Sequence, residues 1–450
     1  MRKLWLIFYF IPVLFAKGRP PVPAAIVSGP MLGGVELRSA IIWLQVSAGV
    51  HSVSLEYWKE TEPETRKQKK FEGRLGSEFN PVQLEIGGLD MNSRYQYRFL
   101  LNDIPSATTG FFHTKDLWQW RKPAPDFSFL TGSCAYFNDP AYDRPGKPYG
   151  GDSMIFEAMA RDSASFMLWL GDNWYTREVD ITSAWGLWYR ASRDRSQPVL
   201  KDLLKAMPQY AIWDDHDYGP DNSGTSYGFK EVSREIFKKY WCNPFYGADQ
   251  KGIYSQISYS DMDLFLTDDR WWRSADELED SIDGKANPGK HFFGEEQLAW
   301  LEDALVQSRA VFKIIVVGSQ VLNPMSTDEG LYKYSYEYHQ LMDFLDRTKI
   351  KGLVFLTGDR HHSEIIKWVR PGNYDLYDIT VSPLTSGVAL VRGNEINNPT
   401  RVPGSLVELR NYARISIAGK KNDRILQVQF PGVDGKIIYN WNISEKQLMP

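Results

Sequence analysis

The chain has 450 residues, room for two or three domains at roughly 150 residues each. Hydrophobic residues at 43% and charged residues at 24% describe a globular chain with a sizeable core. The 52 Lys and Arg set against 56 Asp and Glu leave a formal charge of −4, which excludes the basic surplus of a nucleic-acid-binding or anionic-membrane surface. Two cysteines exclude a disulfide scaffold and a four-cysteine metal cluster, and 16 Trp, 24 Tyr and 23 Phe read first as core.

At the N-terminus, Arg2 and Lys3 precede an apolar run from Leu4 to Phe15 that only Pro12 interrupts. The run is too short to span a bilayer, which takes roughly 20 residues. With the small residue Ala16 behind it, it reads as a signal peptide over residues 1–16. The expectation is export by a Sec-type route, to a periplasm or outside the cell. No later segment offers the roughly 18 uninterrupted apolar residues of a membrane span.

From residue 25 to 114 hydrophobicity alternates with period two, the spacing of half-buried strands. Strand-like runs are Ala40–Val46, Ser52–Trp58, Val82–Ile86 and Tyr95–Phe99, with turn residues such as Gly33-Gly34 and Asp90-Met91-Asn92 between runs. The stretch Gly88–Tyr97 resembles the corner before a late strand of a fibronectin type III sandwich, so an all-β fibronectin III/Ig-like sandwich is expected here. Residues 115–126, rich in Trp, Lys and Pro, read as a linker. In the domain expected over 127–450, short apolar runs alternate with amphipathic segments at Asp152–Arg161, Ser183–Arg193, Lys230–Trp241, Gly294–Ser308 and Tyr336–Arg347. That alternation implies an α/β layered domain, closed by strands at Ala413–Ile417 and Ile425–Phe430.

Six apolar runs in this region end in polar clusters. Phe127–Leu130 precedes Gly132-Ser133-Cys134, Phe166–Leu170 precedes Gly171-Asp172-Asn173, and Tyr210–Trp213 precedes Asp214-Asp215-His216-Asp217. Leu264–Leu266 precedes Asp268-Asp269-Arg270, Ile314–Val317 precedes Gly318-Ser319-Gln320, and Leu353–Leu356 precedes Gly358-Asp359-Arg360-His361-His362. If the runs are strands, every cluster sits at a C-terminal strand end, the edge where α/β sheets place their ligands. Carboxylates crowded within about 4 Å raise one another's pKa unless a cation neutralises them, so the expected site holds one or two metals.

These clusters, in this order, together with Tyr175, Asp268-x-Arg270-x-x-Arg273 and Ser382-Pro383-x-x-Ser386, resemble the motif series of the alkaline phosphatase D (PhoD-like) metallophosphatases. The resemblance spans roughly residues 127–430, and a preceding sandwich is also family-like. It implies a metallophosphoesterase-like layered-sheet fold and the activity of a phosphoric ester hydrolase, either alkaline phosphatase or phosphodiesterase. It further implies ferric iron held by Cys134, Asp172, Tyr175 and His361, with zinc as the alternative at the cysteine position. Calcium would share Asp172 and take Asp215 and Asp359, whose hard oxygen ligands suit it. Hydrolysis would then use a metal-activated water or oxide attacking phosphorus in line. His216 is the residue to orient the phosphate or protonate the leaving alkoxide. Arg270 either grips phosphate as a bidentate fork or closes an internal ion pair. His362 faces the opposite side of its strand from His361. The expected partner is a small-molecule or polymeric phosphate ester.

Three other readings compete. Gly224-Thr225-Ser226-Tyr227-Gly228 fits a nucleophile elbow, which makes Ser226 the nucleophile of an α/β-type serine hydrolase, although turn residues and not an apolar strand precede it. Trp169, Trp174, Trp213, Trp271 and Trp272 cluster at the motifs and could stack on a sugar ring in a non-enzymatic exported binder. Cys134 and Cys242 could form a disulfide in an exported chain instead of leaving Cys134 as a thiolate ligand.

Overall fold

The computed structural model describes residues 22–248, 250–326 and 329–450; the signal-peptide expectation falls on residues 1–16 and lies outside them. The period-two segment forms seven strands: β1 (Ile26–Val35), β2 (Ser39–Val46), β3 (Val53–Lys59), β4 (Lys67–Lys70), β5 (Asn80–Gly87), β6 (Arg94–Leu101) and β7 (Ile104–His113). They build one sheet of order β1-β2-β5 and another of order β4-β3-β6-β7, paired antiparallel throughout. One core is shared between them, with Ile42, Val82 and Leu84 from the first sheet and Leu55, Tyr97 and Phe99 from the second. At the corner before β6 the Asp90 amide donates to the Tyr95 hydroxyl at 2.9 Å, pinning the turn to the strand that follows.

Gly33-Gly34 departs from its reading as a turn: it lies inside β1, in a stretch of shifted register against β2. The reason is close approach, because a Cβ on Gly33 would stand 2.3 Å from the Cys242 Cβ. Further hydrogen bonds fasten these sheets to the rest of the chain. Gln83 donates to the carbonyls of Lys238 and Trp241 at 2.8 and 2.9 Å, and the Trp43 indole donates to the Lys239 carbonyl at 2.8 Å.

The later part of the chain contains β8 (Phe127–Gly132), α1 (Met154–Ala160), β9 (Met167–Leu170), α2 (Ala184–Arg195), α3 (Lys201–Ala206), β10 (Gln209–Ile212), α4 (Asp215–Tyr218), α5 (Lys230–Tyr240), β11 (Ser255–Tyr259) and β12 (Met262–Leu266). It continues through the hairpin β13 (Ser281–Ile282) and β14 (Lys285–Ala286), then α6 (Glu295–Gln307), β15 (Phe312–Val317), α7 (Ser335–Thr348), β16 (Leu353–Thr357), β17 (Glu364–Trp368), β18 (Leu376–Thr380), β19 (Ala413–Lys420), β20 (Asp423–Pro431) and β21 (Ile437–Ser444). The six apolar runs are all strands, split between two mixed six-stranded sheets. β10, β9 and β8 run parallel in the sheet β10-β9-β8-β19-β20-β21; β12, β15 and β16 run parallel in the sheet β11-β12-β15-β16-β18-β17. Phe129, Leu168 and Ile212 of the first sheet and Leu264, Ile315 and Phe355 of the second belong to one buried core.

The aromatic load is largely structural. Trp169, Trp174, Trp213 and Trp271 are buried and Trp272 is half-buried, which removes the stacking platform that a ring-binding protein would need from them. Their polar edges are used internally: Trp169 donates to Gln209 at 2.9 Å and Trp213 to Asp268 at 2.7 Å. Cys134 and Cys242 are both free and buried, so the disulfide alternative falls. Among the described residues, no helix is long and apolar enough to cross a membrane.

Candidate metal centre

The strand ends converge through their backbones. Beyond β8 the Cys134 amide donates to the Gly171 carbonyl at 3.3 Å and the Ala135 amide to the Asp172 carbonyl at 2.8 Å, lacing the β8 loop to the β9 loop. The amides of Leu384 and Thr385 donate to the Ser133 and Cys134 carbonyls at 2.8 and 3.2 Å, which adds the loop after β18. Gly171 is required where it stands: its φ is +96°, and a Cβ there would lie 2.5 Å from the Asp214 Cβ.

Four non-glycine residues at these turns also hold left-handed backbone: Cys134 (φ 63°), Asp172 (φ 52°), Asp359 (φ 66°) and His361 (φ 56°). Such a conformation costs about 1–3 kcal/mol per residue and collects at functional sites. All four are sequence-predicted ligands.

Side chains meet in the space these turns enclose. One ligand atom each from Cys134, Asp172 and His361 lies within 4.8 Å of the others, and the same holds for Asp172, Asp215 and His216. Asp172 is common to both groups. Its Oδ2 stands 3.7 Å from Cys134 Sγ, and its Oδ1 accepts the His216 amide at 3.3 Å. The Tyr175 hydroxyl lies 3.3 Å from His361 Nε2. Ser382 and Ser133 hydroxyls approach Cys134 Sγ at 3.1 and 3.3 Å.

Asp214 and Asp215 divide the labour at the end of β10. Asp214 caps α4 with its carboxylate, while Asp215 opens the helix and accepts the amides of His216 and Asn222 at 2.8 and 2.7 Å. Asp359 stands outside both ligand triads. Its backbone carbonyl is 3.5 Å from Cys134 Sγ, and its carboxylate is affected by Asp215 and Glu329.

The electrostatics call for a cation. Burial, then repulsion from Asp215 and Cys134, pushes the Asp172 carboxyl well up. Burial and then Asp359 push the Cys134 thiol up to about 12, and burial followed by Asp172 pushes the Tyr175 phenol well up. Burial, Glu329 and Asp215 lift Asp359 to about 7. Asp215 goes the other way: burial opposes its charge, but His216, Arg270 and the Asn222 amide outweigh it. Two like charges 4 Å apart repel by about 4 kcal/mol at an effective dielectric of 20, so ionising the whole set needs positive charge among them. Thiolate, phenolate and imidazole on one side of Asp172, with carboxylate on the other, is a donor set that fits two cations of different softness.

His216 stands at the mouth of this group. Its ring lies 4.2 Å from that of Tyr175, and it lines a cleft of about 660 Å³ together with Tyr136, Tyr149, Arg144 and Lys147. Arg270 does not reach that cleft. It is fully buried, with Nε donating to Asp214 at 2.6 Å and the two Nη atoms to Glu329 at 3.1 and 2.9 Å. The fork expected for phosphate is closed on a carboxylate of the chain itself, and Arg273 donates to the same Glu329 at 2.7 Å. His362 is buried 3.7 Å from Glu364 and belongs to neither ligand triad; both histidines sit in the loop between β16 and β17, so this separation is set by the loop and not by the strand parity expected from sequence. Ser226 is exposed in a run of turns before α5, without the strand-to-helix elbow a serine nucleophile requires, and the serine-hydrolase reading is overturned.

Sequence reasoning missed Glu329 and Tyr149. Glu329 follows a stretch with no periodic pattern, and its clue is the paired Arg270-x-x-Arg273 awaiting a buried acid. Tyr149 lies in a Pro- and Gly-rich loop, and its hydroxyl is 2.9 Å from His361 Nδ1.

Comparison with known proteins agrees with this geometry. The family model described as PhoD-like phosphatase matches residues 129–388. The structure of PhoD superposes with a TM-score of 0.75 at 18% identity, covering 93% of this chain and 90% of the other. Purple acid phosphatase PPD1 from yellow lupin (Lupinus luteus) seeds superposes with a TM-score of 0.66 at 10% identity, covering 92% and 74%. No curated protein sequence matches. The family match covers more than half the chain and contains all six turns that carry the site's motifs. The chain therefore belongs to the PhoD-like phosphatase family and is a metal-dependent phosphoric ester hydrolase.

Proposed function

We propose that this chain is an exported alkaline phosphatase or phosphodiesterase that works with two unlike cations. Ferric iron would be held by Cys134, Asp172, Tyr175 and His361, with zinc as the alternative, and calcium by Asp172, Asp215 and Asp359. The single observation that carries this reading is that Asp172 belongs to both ligand groups, with a thiol and imidazole on one side and Asp215 on the other. We also assign residues 1–16 as a leader, 25–114 as a fibronectin III/Ig-like sandwich, 115–126 as a linker and 127–450 as the catalytic domain.

When bound, the cations supply neutralising charge for the phosphate oxygens and an activated nucleophile at neutral pH. The protein's part is placement. The Asn222 and His216 amides hold the Asp215 carboxylate in one orientation. His216, fixed against the Tyr175 ring, presents its imidazole to the cleft, where it can hold a phosphate oxygen or pass a proton to the departing alkoxide. The leaving group extends along the cleft past Arg144 and Lys147.

The test is hydrolysis of a chromogenic phosphomonoester and a phosphodiester before and after chelation, with absorption spectra of the purified protein. Metal-dependent turnover with a visible thiolate- and tyrosinate-to-iron band is expected. Active, colourless, iron-free enzyme would overturn the iron assignment, and chelator-resistant turnover would overturn the metal reading.

A further inference from the structure

Two phenols bracket the His361 imidazole, one at each nitrogen. The Tyr175 hydroxyl faces Nε2 at 3.3 Å, on the side of the ring that meets Cys134 and Asp172, so Nε2 points into the ligand group. The Tyr149 hydroxyl faces Nδ1 at 2.9 Å from the other side. We propose that Tyr149 is a positioning residue for the metal centre: its hydroxyl oxygen accepts the Nδ1 proton of His361, which fixes the tautomer and the ring plane and leaves the Nε2 lone pair to the metal. This rests on the reading of the cluster as a metal site.

The chemistry requires such an acceptor. An imidazole that ligates through Nε2 carries its proton on Nδ1, and the group receiving that proton sets ring orientation and ligand basicity. The usual acceptor is a carboxylate or a carbonyl. Here a neutral phenol takes the role.

The seat of Tyr149 is built for this contact. A Cβ on Gly387 would stand 2.6 Å from Tyr149 Cε2, so the glycine lets the ring in. The Tyr149 ring packs edge-on to Tyr136 with centroids 4.9 Å apart. Immediately after Tyr149, the Gly150 amide donates to Asn138 at 2.9 Å and the Gly151 amide to the Thr385 carbonyl at 2.7 Å. Because Tyr149 also lines the cleft, the loop that borders the substrate is the loop that orients a metal ligand.

The test compares wild type, Tyr149→Phe and Lys147→Ala, a substitution in the same loop at the same cleft. Each protein is loaded with metal and mixed with excess chelator, and metal loss is followed together with the absorption spectrum. Tyr149→Phe keeps the ring and its packing and removes only the hydroxyl. It is expected to lose metal about tenfold faster, the lower end of the range for removing such a partner because a neutral phenol is a weaker acceptor than a carboxylate. Its absorption band should shift, its metal-free melting midpoint should match wild type, and Lys147→Ala should lose metal at the wild-type rate. Equal loss rates for Tyr149→Phe and wild type would overturn the proposal. So would a lowered metal-free melting midpoint, which would make Tyr149 a packing residue, or equally fast loss from Lys147→Ala, which would make the effect one of the whole loop. A wild-type protein that holds no metal would instead overturn the metal reading beneath it.

Discussion

Replacing Arg270 with Met separates the two roles this arginine can have. In the structure it makes three charge-assisted hydrogen bonds, one to Asp214 and two to Glu329, with side-chain exposures of 0, 1 and 6% for Arg270, Asp214 and Glu329. Removing one partner of a buried ion pair costs about 3–5 kcal/mol, because the other charge is left uncompensated. Arg273 still pairs with Glu329, so the orphaned charge is chiefly that of Asp214, and a loss of about 4 kcal/mol is expected. Asp214 caps α4, which starts with Asp215, so metal retention falls with stability. The assay is denaturant unfolding of the metal-free protein, paired with kcat and KM on a phosphomonoester. A large loss of metal-free stability is the expected result. An unchanged unfolding midpoint with a tenfold rise in KM would refute the reasoning and return Arg270 to the phosphate.

Three more outcomes follow from the same geometry. Asp172 and Asp359 bind their protons more tightly in the folded chain than in the unfolded one, so the metal-free protein should lose stability as pH rises from about 4 towards 7, and added metal should restore it; melting curves against pH with and without metal check this. Asp215, shifted downward, acts in the opposite sense and only below about pH 4, where it favours the folded state as pH rises. Gly171→Ala puts a Cβ 2.5 Å from that of Asp214 at a left-handed φ, so metal content by elemental analysis should fall sharply while the far-UV spectrum stays that of a folded chain. Ser226→Ala should leave kcat/KM for phosphate esters within twofold of wild type, since Ser226 sits on an exposed turn.

The strand ends were legible because a buried parallel strand is an apolar run and a catalytic turn is an abrupt polar one, as Phe166–Leu170 before Asp172 shows. The helices at α2, α5, α6 and α7 followed from 3.6-residue periodicity, and each lies within two residues of its expected bounds. The short α3 and the last strand β21 are among the elements that escaped: six residues are too few to show a helical period, and β21 leaves Ile437 and Ile438 exposed. Cys134, Asp172 and His361 could be named as ligands, but nothing in the letters marks their left-handed backbone, because only glycine advertises that conformation. Arg270 illustrates the limit for charges. Its type fits phosphate and carboxylate equally, and the carboxylate that claims it, Glu329, is 59 positions away in sequence.

The most direct test of the central claim, that Asp172 serves two cation sites at once, is the metal stoichiometry of wild type and Asp172→Asn measured by elemental analysis on the same preparations. The account predicts two ions of different elements per wild-type chain, and loss of both, together with phosphoester hydrolysis, in Asp172→Asn. An Asp172→Asn protein that retains both ions, or a wild-type chain that hydrolyses phosphate esters with neither, would contradict it.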